Sequence, residues 1–423
     1  MKFKLKGSIA EKLKVSLPPS KSYAQRALIA ASLAEGESRV VMNKPLPEDV
    51  VLMIRALRKM GIKIRGDSVH GARPKPPSNV LSMGASGTGL RFMTAFSTLA
   101  EDGYTVLTGN TSLLKRPIGP LVEAINQLGG YAISAGENGR PPVIVKGKRM
   151  KGGSTEVKSS ESSQYISALL LVSPKNEAET RIYWKNKVSE HYVRMTEYVM
   201  NAFGVEVHEE ENSYFISPSD YRSVSFKVPP DASSASFFIV LAMLAERQIE
   251  IAELKREPIQ ADLEELVNVL EAMEIKYSFD GNGMRVYGNV PDKPLKIDLR
   301  NAPDLLPPLS VLGCRVPVEI YGISHVKFKE SNRLLSMGSE LSKLGCKVDL
   351  GQDEINISPS GTVNKGVSLK GWKDHRVVMA LSVLCAALGI SCTIDGYETV
   401  KKSYPTFFEE MEKNGFEVKI FER

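Results

Sequence analysis

The feature that most constrains the fold of this chain is a repeat of about seventy residues that runs from end to end. Each copy is marked by a short segment in which an apolar residue and usually a glycine separate a helical pattern from alternating strand residues. The six segments are MGIKI, GGYAI, FGVEV, MEIKY, LGCKV and NGFEV, with second residues Gly61, Gly130, Gly204, Glu274, Gly345 and Gly415. Successive marks are 69, 74, 70, 71 and 70 residues apart. A glycine at this point predicts a left-handed turn at the end of a helix.

A second series of six segments lies between these marks, and each is an apolar helical run opened by small or polar residues. Examples are SKSYAQRALIAASLA, DASSASFFIVLAMLA and KDHRVVMALSVLCAALG. These runs are apolar nearly all round, which is typical of buried helices, and most lead into short β-branched strands. The pattern predicts an α/β fold with helices inside and sheets outside. An open solenoid is the alternative, but such buried helices need closed packing. Three units per domain is the natural division, with a boundary near Lys227–Asp231.

Composition excludes several classes of protein. The 423 residues are 42% hydrophobic and 25% charged, which is typical of a globular protein, and the net charge of +6 is scattered rather than gathered in basic blocks. We therefore predict no nucleic-acid partner. The N-terminus lacks a signal-peptide core and no run is long enough to span a membrane. The four cysteines have no CxxC spacing, so buried free thiols and a cytoplasmic location are expected.

Charged and hydroxyl side chains concentrate where the predicted helices begin. A helix N-terminus binds anions because its N–H groups are free and its dipole is positive there. The segments are PPSKSYAQRAL, MGASGTGLRF, GNTSLLKRPIG, SSESSQYIS, VSEHY, NAPDLLPPLS, HVKFKESNRLL, KDHRVVMAL and VKKSYPTFF. In GNTSLLKRPIG, Arg116 precedes Pro117, which is predicted to lie just inside its helix. For each segment taken singly, an ordinary helix cap, a packing glycine or a solvated cation is the structural alternative.

Taken together, the segments place an excess of cations at equivalent ends of the repeats. The cations are Lys21, Arg26, Arg116, Lys329, Arg333, Arg376 and Lys402. We expect them to converge on one cleft that holds few carboxylates, namely Asp304 and Glu330. Unpaired buried cations are costly, so this imbalance predicts a ligand with several negative charges. Metal-ligand spacing is absent from the sequence, so we predict a metal-free reaction without a cofactor.

These motifs, in this order, resemble the 5-enolpyruvylshikimate-3-phosphate synthases of the enolpyruvyl transferase family. PSKSYAQRAL is similar to the family's PSKSxxxRAL, and SGTGLRF to its GTxxR motif. SLLKRPI, SSQYISALL, DASSASFF, PDLLPPLSVL, KESNR, DHRVVMAL and YPTFF also have counterparts. The resemblance covers essentially the whole chain. It implies two inside-out α/β domains of three units each, here 20–228 and a discontinuous domain of 1–19 and 229–423, with the active site in the cleft between them.

The resemblance also implies an activity and a set of site residues. Phosphoenolpyruvate would donate its enolpyruvyl group to shikimate 3-phosphate, in an enzyme of aromatic amino-acid biosynthesis. Apart from the resemblance, a monomer is expected, because the sequence shows no exposed apolar stripe. Implied ligands of shikimate 3-phosphate are Lys21, Ser22, Arg26, Ser162, Ser163, Gln164, Ser189, Asp304, His325 and Lys329. Implied ligands of phosphoenolpyruvate are Lys21, Gly87, Arg116, Gln164, Arg333, Arg376 and Lys402. Asp304 is expected to accept the hydroxyl proton, Glu330 to protonate the methylene carbon, and Lys21 to assist phosphate departure.

The sequence departs from the family pattern at several positions near these motifs. They are Ala85, Asn110, Pro230, His325, Asn332 and the segment 371–373. The alternatives are the sister transferase that uses UDP-N-acetylglucosamine, a non-catalytic anion-binding relative, and an RNA-end-processing relative. The first typically has a cysteine in the loop that corresponds to 110–116, where this chain has none. The retained Asp304 and Glu330 argue against the second, and scattered charge with few aromatic neighbours argues against the third.

Overall fold

The computed structural model describes residues 2–5, 9–290 and 292–419. The α-helices of this part of the chain, α1 to α12 in order, are Lys21–Leu33, Glu48–Lys59, Gly87–Ser97, Gly119–Gln127, Gln164–Val172, Glu190–Ala202, Ala232–Ala245, Ala261–Ala272, Leu306–Ser310, Arg333–Lys343, His375–Ala387 and Phe407–Lys413. The strands, β1 to β24, are Lys2–Leu5, Lys12–Val15, Glu37–Val41, Lys63–Arg65, Ser68–His70, Leu81–Ser82, Tyr104–Thr108, Ala132–Gly136, Arg140–Lys146, Gly153–Lys158, Thr180–Lys185, His208–Glu210, Ser213–Ile216, Ser225–Lys227, Gln248–Ala252, Tyr277–Asp280, Gly283–Tyr287, Leu295–Asp298, Val318–Tyr321, Lys347–Leu350, Glu354–Ser358, Ser368–Leu369, Cys392–Ile394 and Phe416–Lys419.

The chain divides into two compact units. The central unit is Pro19–Pro229, and the terminal unit combines Met1–Pro18 with Pro230–Arg423. In the central unit the described strands form three four-stranded sheets, in the orders β14-β3-β5-β4, β6-β7-β9-β8 and β10-β11-β13-β12. In the terminal unit the corresponding orders are β16-β17-β15-β2, β18-β19-β21-β20 and β22-β23-β1-β24. The position of the active site between two domains stays a prediction.

All these sheets share one design, in which a parallel pair of strands joins an antiparallel pair. In the first sheet of the central unit, β14 pairs with β3 in parallel, with Phe226 opposite Val40, while β3 and β4 both run antiparallel to β5. The last strand of the central unit thus completes the sheet that its first strand begins. In the terminal unit, β1 runs antiparallel to both β23 and β24. Each sheet corresponds to one copy of the sequence repeat, although in three of them one strand (β14, β2 or β1) comes from a distant part of the chain.

Apolar helices form the interior of each unit, as the sequence predicts. In α7 every residue from Ala232 to Leu244 is buried, and α1, α3, α5 and α11 are buried over nearly their whole length. Helices α1, α3 and α5 contact one another in the central unit, and α7, α9 and α11 do so in the terminal unit. Amphipathic helices, among them α2, α6 and α10, bury one face and expose the other. The predicted α/β class with buried helices and outer sheets is confirmed.

The left-handed turns at the ends of the amphipathic helices lie where the repeat predicts them, with one shift. At these six turns, the residues that adopt positive φ are Gly61, Gly129, Gly204, Glu274, Gly345 and Gly415. The second copy turns at Gly129 rather than at the predicted Gly130. In the fourth copy Glu274 adopts φ of 55° although it carries a side chain, so the backbone conformation of the repeat is kept where the glycine is lost.

The helix predicted over PDLLPPLSVLG is broken. It consists of a 3₁₀ turn at Pro303–Leu305, the short helix α9, and another 3₁₀ turn at Val311–Cys314. Pro307 and Pro308 have no N–H group to donate, so a helix that began at Pro303 could not continue through them, whereas both are tolerated in the first turn of α9. The start of α4 is also displaced, because the helix begins at Gly119 rather than at Pro117.

The expectation of free thiols is wrong. Cys314 forms a disulfide with Cys346, and Cys385 forms one with Cys392, with Cα–Cα distances of 5.7 and 6.7 Å. The fold brings each pair together, whereas their separations of 32 and 7 residues match no sequence motif. Among the helices of the described residues, none is long and apolar enough to cross a membrane.

Candidate active site

In the terminal unit, the starts of α10 and α11 bring charged side chains of both signs together. Arg333 is the first residue of α10, and only 1% of its side chain is exposed. Its guanidinium donates from Nη1 to Asp304 Oδ1 at 2.7 Å, from Nη2 to Glu330 Oε2 at 3.0 Å and from Nε to Asp374 Oδ2 at 2.9 Å. Three carboxylates therefore surround one buried guanidinium group.

Asp374 joins two arginines at the start of α11. Its Oδ1 accepts a hydrogen bond from the backbone N–H of Arg376 at 3.0 Å, which caps the helix, while its Oδ2 binds Arg333. The guanidinium of Arg376 lies 2.8 Å from Asp304 Oδ2 through Nη2. Asp304 thus lies between Arg333 and Arg376, with one carboxylate oxygen on each.

Two lysines complete this set of charges. Lys402 pairs with Glu330 Oε1, and Lys329 Nζ lies 3.7 Å from Asp304 Oδ1. Burial lowers the pKa of Lys329, and repulsion from Arg333 adds to the effect. Burial also acts to lower the pKa of Arg333, but Asp374, Asp304 and Glu330 outweigh it and raise that pKa above its usual value. We call these residues the terminal cluster: Asp304, Lys329, Glu330, Arg333, Asp374, Arg376 and Lys402.

His325 lies next to the terminal cluster in the 3₁₀ turn Ser324–Phe328. Burial, with the nearby charge of Lys329, lowers its pKa to about 3, so the imidazole is neutral near pH 7. His325 is almost completely buried, with 2% of its surface exposed, yet neither ring nitrogen has a hydrogen-bond partner among the described residues. Buried polar atoms usually have partners. Both nitrogens are therefore available to a ligand.

In the central unit, the starts of several helices are joined by hydrogen bonds. Lys21 opens α1 and lies 3.3 Å from Asp49 Oδ2 in the first turn of α2. Gln25, one turn further along α1, donates from Nε2 to the Asp49 carbonyl at 3.2 Å and to Ser86 Oγ at 3.3 Å. Ser86 caps α3 by accepting a hydrogen bond from Gly89. These bonds fix the starts of α1, α2 and α3 to one another.

Arg26 joins α1 to α5 and α6. The buried guanidinium donates from Nε to Thr196 Oγ1 at 2.7 Å, and from Nη2 to the Tyr192 carbonyl at 2.8 Å and Ser167 Oγ at 3.3 Å. Its Nη1 donates to the Ser22 carbonyl at 2.9 Å. Burial lowers the pKa of Arg26 to about 10. In this structure, therefore, protein groups occupy much of its hydrogen-bonding capacity.

Arg91 and Arg116 pack against the bare Cα of Gly87 at the start of α3. A Cβ atom built on Gly87 would lie 2.7 Å from Arg116 Nη1 and 3.2 Å from Arg91 Nη1. Arg91 Nη1 donates to Gln164 Oε1 at 2.6 Å, and its Nη2 donates to the Pro117 carbonyl at 3.0 Å. A guanidinium only donates, so the Gln164 amide oxygen faces Arg91 and its NH₂ group remains a donor.

Three predicted serines lie at the starts of α5 and α6. Ser162 Oγ accepts a hydrogen bond from the Gln164 backbone at 3.2 Å, and Ser163 holds the cap position of α5 without a side-chain capping bond. Ser189 holds the cap position of α6 with φ of 55°. Left-handed backbone at a residue other than glycine is strained, and such strain clusters at functional sites.

We call these residues of the central unit the central cluster: Lys21, Ser22, Arg26, Gly87, Arg91, Arg116, Ser162, Ser163, Gln164 and Ser189. The structure thus brings the predicted residues together as two sets, one in each unit. It also adds three residues absent from the predicted site, which are Asp49, Arg91 and Asp374. The sequence signal of the two aspartates was weak, because an acid at the start of a helix is usually only a cap or a dipole partner.

No group of three or more His, Cys, Asp or Glu side chains is placed to hold a metal ion, as far as the described residues show. Each cluster instead gathers arginine and lysine side chains at helix starts, beside carboxylates in the terminal cluster and hydroxyl groups in the central one. These features define an α/β enzyme that acts on small anionic substrates.

Comparison with known proteins identifies the family. The family model described as EPSP synthase (3-phosphoshikimate 1-carboxyvinyltransferase) matches residues 7–411. The 3-phosphoshikimate 1-carboxyvinyltransferase of Korarchaeum cryptofilum is 38% identical over 415 residues, with 96% of each chain covered. That of Methanocaldococcus jannaschii is 32% identical, also with 96% of each covered. The EPSP synthase structure from Acinetobacter baumannii superposes with a TM-score of 0.81 at 26% identity, covering 99% of both chains. The chain belongs to the EPSP synthase family.

Proposed function

We propose that this chain is a 3-phosphoshikimate 1-carboxyvinyltransferase, which transfers the enolpyruvyl group of phosphoenolpyruvate to the 5-hydroxyl of shikimate 3-phosphate and releases phosphate. The observation that carries the proposal is the position of Asp304 between Arg333 and Arg376, with Glu330 on the same buried guanidinium. This arrangement supplies two carboxyl groups for proton transfer and two guanidinium groups for an anionic substrate. Membership of the EPSP synthase family supports the same activity.

Phosphoenolpyruvate is proposed to bind the cations of both clusters. In the terminal cluster, Arg333 and Arg376 would hold its carboxylate or phosphate through paired N–H groups, and Lys402 would add charge. In the central cluster, Arg116, Lys21 and the Gly87 backbone N–H would do so. The bare Cα of Gly87 supports this role, because it lets Arg116 approach the start of α3. The NH₂ group of Gln164 would donate to either substrate, since its amide oxygen accepts from Arg91.

Shikimate 3-phosphate is proposed to bind hydroxyl groups at the starts of α5 and α6 together with residues of α1. Its phosphate would accept hydrogen bonds from Ser22, Ser162, Ser163 and Ser189, while Arg26 holds those helices in place and contributes positive charge. The strained backbone of Ser189 and the absence of a side-chain capping bond at Ser163 support the assignment. His325 and Lys329 would contact ring hydroxyls, since neither imidazole nitrogen has a hydrogen-bond partner within the described ranges of the chain.

The proposed reaction has two stages. In the first stage Asp304 removes the proton of the 5-hydroxyl while the hydroxyl oxygen bonds to C2 of phosphoenolpyruvate, and Glu330 protonates the methylene carbon. The resulting tetrahedral adduct loses phosphate by cleavage of the bond between C2 and the phosphate oxygen, with Lys21 assisting departure. Glu330, left as a carboxylate by the first stage, takes a proton back from the methyl group, and this restores the carbon–carbon double bond. The arginines of the terminal cluster stabilise the charges that develop.

The decisive experiment is a phosphate-release assay with both substrates on the purified protein and on the variants Asp304→Asn and Glu330→Gln. Wild-type protein is expected to release phosphate only when both substrates are present. Each variant keeps the side-chain shape but loses proton transfer, so turnover should fall by about 10²–10⁴-fold. Glu319→Gln, at a half-buried acid of the same unit paired with Lys296, is the matched control and should retain full turnover.

The outcomes of this assay separate two claims. If the wild-type protein releases no phosphate with both substrates, the proposed function is wrong. If the wild type is active and both variants turn over normally, the function stands and the roles of Asp304 and Glu330 are wrong.

The proposal further includes a monomeric enzyme in the cytoplasm, where its two phosphorylated substrates would be found, without a cofactor and without a nucleic-acid partner. Sedimentation equilibrium tests the monomer.

A further inference from the structure

A strained turn leads directly into α11. The backbone N–H of Asp374 donates to the Gly371 carbonyl at 3.0 Å, which closes a four-residue turn. The two central residues, Trp372 and Lys373, have φ of 56° and 55°. Turns with positive φ at both central positions normally contain Gly, Asn or Asp there, because a bulky side chain is strained in that conformation. Something in the surroundings must therefore hold this Trp-Lys turn in place.

Glu340 is placed to do so. It lies in α10 with a fully buried side chain, and its Oε1 accepts a hydrogen bond from the indole N–H of Trp372 at 2.9 Å. Its Oε2 accepts one from the backbone N–H of Lys370, also at 2.9 Å. Lys343 compensates the buried charge, with Nζ 2.8 Å from Oε2. Lys370 Nζ covers the indole ring 4.4 Å from its centroid. The glutamate thus binds the turn at two points.

The turn and α10 meet again at the terminal cluster. Arg333 and Glu340 belong to the same helix and are about two turns apart. Glu340 binds the turn at Trp372, and the turn ends at Asp374. Asp374 in turn binds Arg333 Nε at 2.9 Å and caps the helix that carries Arg376. The contacts form a closed circuit in which the conformation of the turn fixes the position of the Asp374 carboxylate.

We propose that Glu340 and Trp372 are positioning residues that hold the strained turn, and through Asp374 orient Arg333 and Arg376 for phosphoenolpyruvate. Neither residue touches the reacting atoms. The inference rests on the proposed function, since it assigns those two arginines to phosphoenolpyruvate. It gives a physical reason for a tryptophan followed by a lysine at two positions whose backbone conformation favours glycine.

The test separates the strain of the turn from the bond that holds it. Trp372→Phe keeps a bulky residue with positive φ but loses the indole donor, so the turn should relax and displace Asp374. The KM for phosphoenolpyruvate is expected to rise about tenfold, as for loss of one hydrogen bond to a charged acceptor. The KM for shikimate 3-phosphate should not change. Trp372→Gly loses the same bond but also removes the strain at position 372, leaving only Lys373 with a side chain at positive φ, so its KM for phosphoenolpyruvate should stay closer to the wild-type value than that of Trp372→Phe.

Trp184→Phe is the matched control, because this other tryptophan lies in the central unit and donates to Ser159. Turnover of the wild-type protein with both substrates is measured first, so that a failure of the proposed function is told apart from a failure of this inference. If Trp372→Phe does not fold, Glu340→Gln replaces it, with Glu340→Gln/Trp372→Gly as the expected rescue. An unchanged KM in the Phe or Gln variant overturns the proposal. Equal losses in the strained and the glycine variants also overturn it, since a purely structural tryptophan would give that result.

Discussion

At the scale of single residues, the central cluster depends on an atom that Gly87 lacks. Two guanidinium groups, those of Arg91 and Arg116, occupy the space where its Cβ would lie. Like charges this close repel, and burial together with the charge of Arg116 lowers the pKa of Arg91. An anion at the start of α3 would relieve this repulsion, since it would meet both a helix N-terminus and two cations.

We therefore predict that Gly87→Ala displaces Arg116 and weakens the binding of phosphoenolpyruvate. Its KM should rise about tenfold, which corresponds to one impaired charged hydrogen bond, with a smaller change for shikimate 3-phosphate. Gly281→Ala is the control, because a Cβ there meets no atom within 4 Å. Steady-state kinetics with each substrate varied in turn would measure both constants. Equal KM values in the Gly87 variant and the wild type would contradict the placement of Arg116.

His325 makes a prediction about stability and pH. Its pKa in the folded protein is about 3, below the ordinary value of 6.5. The unfolded chain therefore binds a proton first as pH falls, so this contribution to stability is full above pH 6.5 and is lost towards pH 3. When the pH is lowered from about 7.5 to 4.5, the free energy of unfolding of the wild type should therefore fall by about 3 kcal/mol more than that of His325→Asn. Urea unfolding at both pH values measures this, and parallel losses would refute it.

The residues of the site were only partly predictable from sequence. Motifs at helix starts indicated the cations, because a lysine or arginine at such a position is locally visible. Asp49 and Asp374 were missed as partners of Lys21 and Arg333, since a pairing between different helices depends on how the helices pack. Asn332 caps α10, since its Oδ1 accepts a hydrogen bond from the backbone N–H of Leu335; aspartate and asparagine fill this role about equally, so the departure leaves the cap intact.

At the scale of elements, the repeat was predictable because the end of each amphipathic helix needs the same left-handed residue. What the pattern could not indicate was the shift to Gly129, since both residues of that pair are glycines. Nor could it indicate that Glu274 keeps the left-handed conformation without a glycine. The break between the 3₁₀ turn Pro303–Leu305 and α9 follows from Pro307 and Pro308, whose effect the apolar pattern concealed.

Glu274 is therefore a site where stability can be gained. Glycine has no Cβ penalty in this conformation, so Glu274→Gly should raise the free energy of unfolding by about 1 kcal/mol. The loss of the exposed ion pair with Lys293 should subtract only a few tenths of a kcal/mol. Glu274→Ala is the control, because it removes the ion pair but keeps the strain. Thermal unfolding compares the variants, and a glycine variant no more stable than the alanine variant would disprove the argument.

At the scale of the whole molecule, the two units differ in covalent cross-links. Both disulfides lie in the terminal unit, and the sequence of the central unit contains no cysteine. A disulfide restricts the unfolded chain, and loops of these lengths predict a contribution of about 2–4 kcal/mol each. The sulfur atoms are buried, since Cys385 and Cys392 are 1% and 3% exposed and Cys314 and Cys346 are 5% and 8% exposed.

Reduction should therefore destabilise one unit and spare the other. Calorimetry with a phosphine reductant is expected to lower the melting temperature of the terminal unit by several degrees, while the transition of the central unit stays in place. The double variant Cys314→Ala/Cys346→Ala should reproduce most of the change without reductant, because it opens the longer loop. The transition of the central unit in the same scan is the control, because that unit contains no cysteine for the reductant to act on. Identical transitions with and without reductant would mean that the four cysteines are thiols in the folded protein, and the cross-linked terminal unit would have to be abandoned.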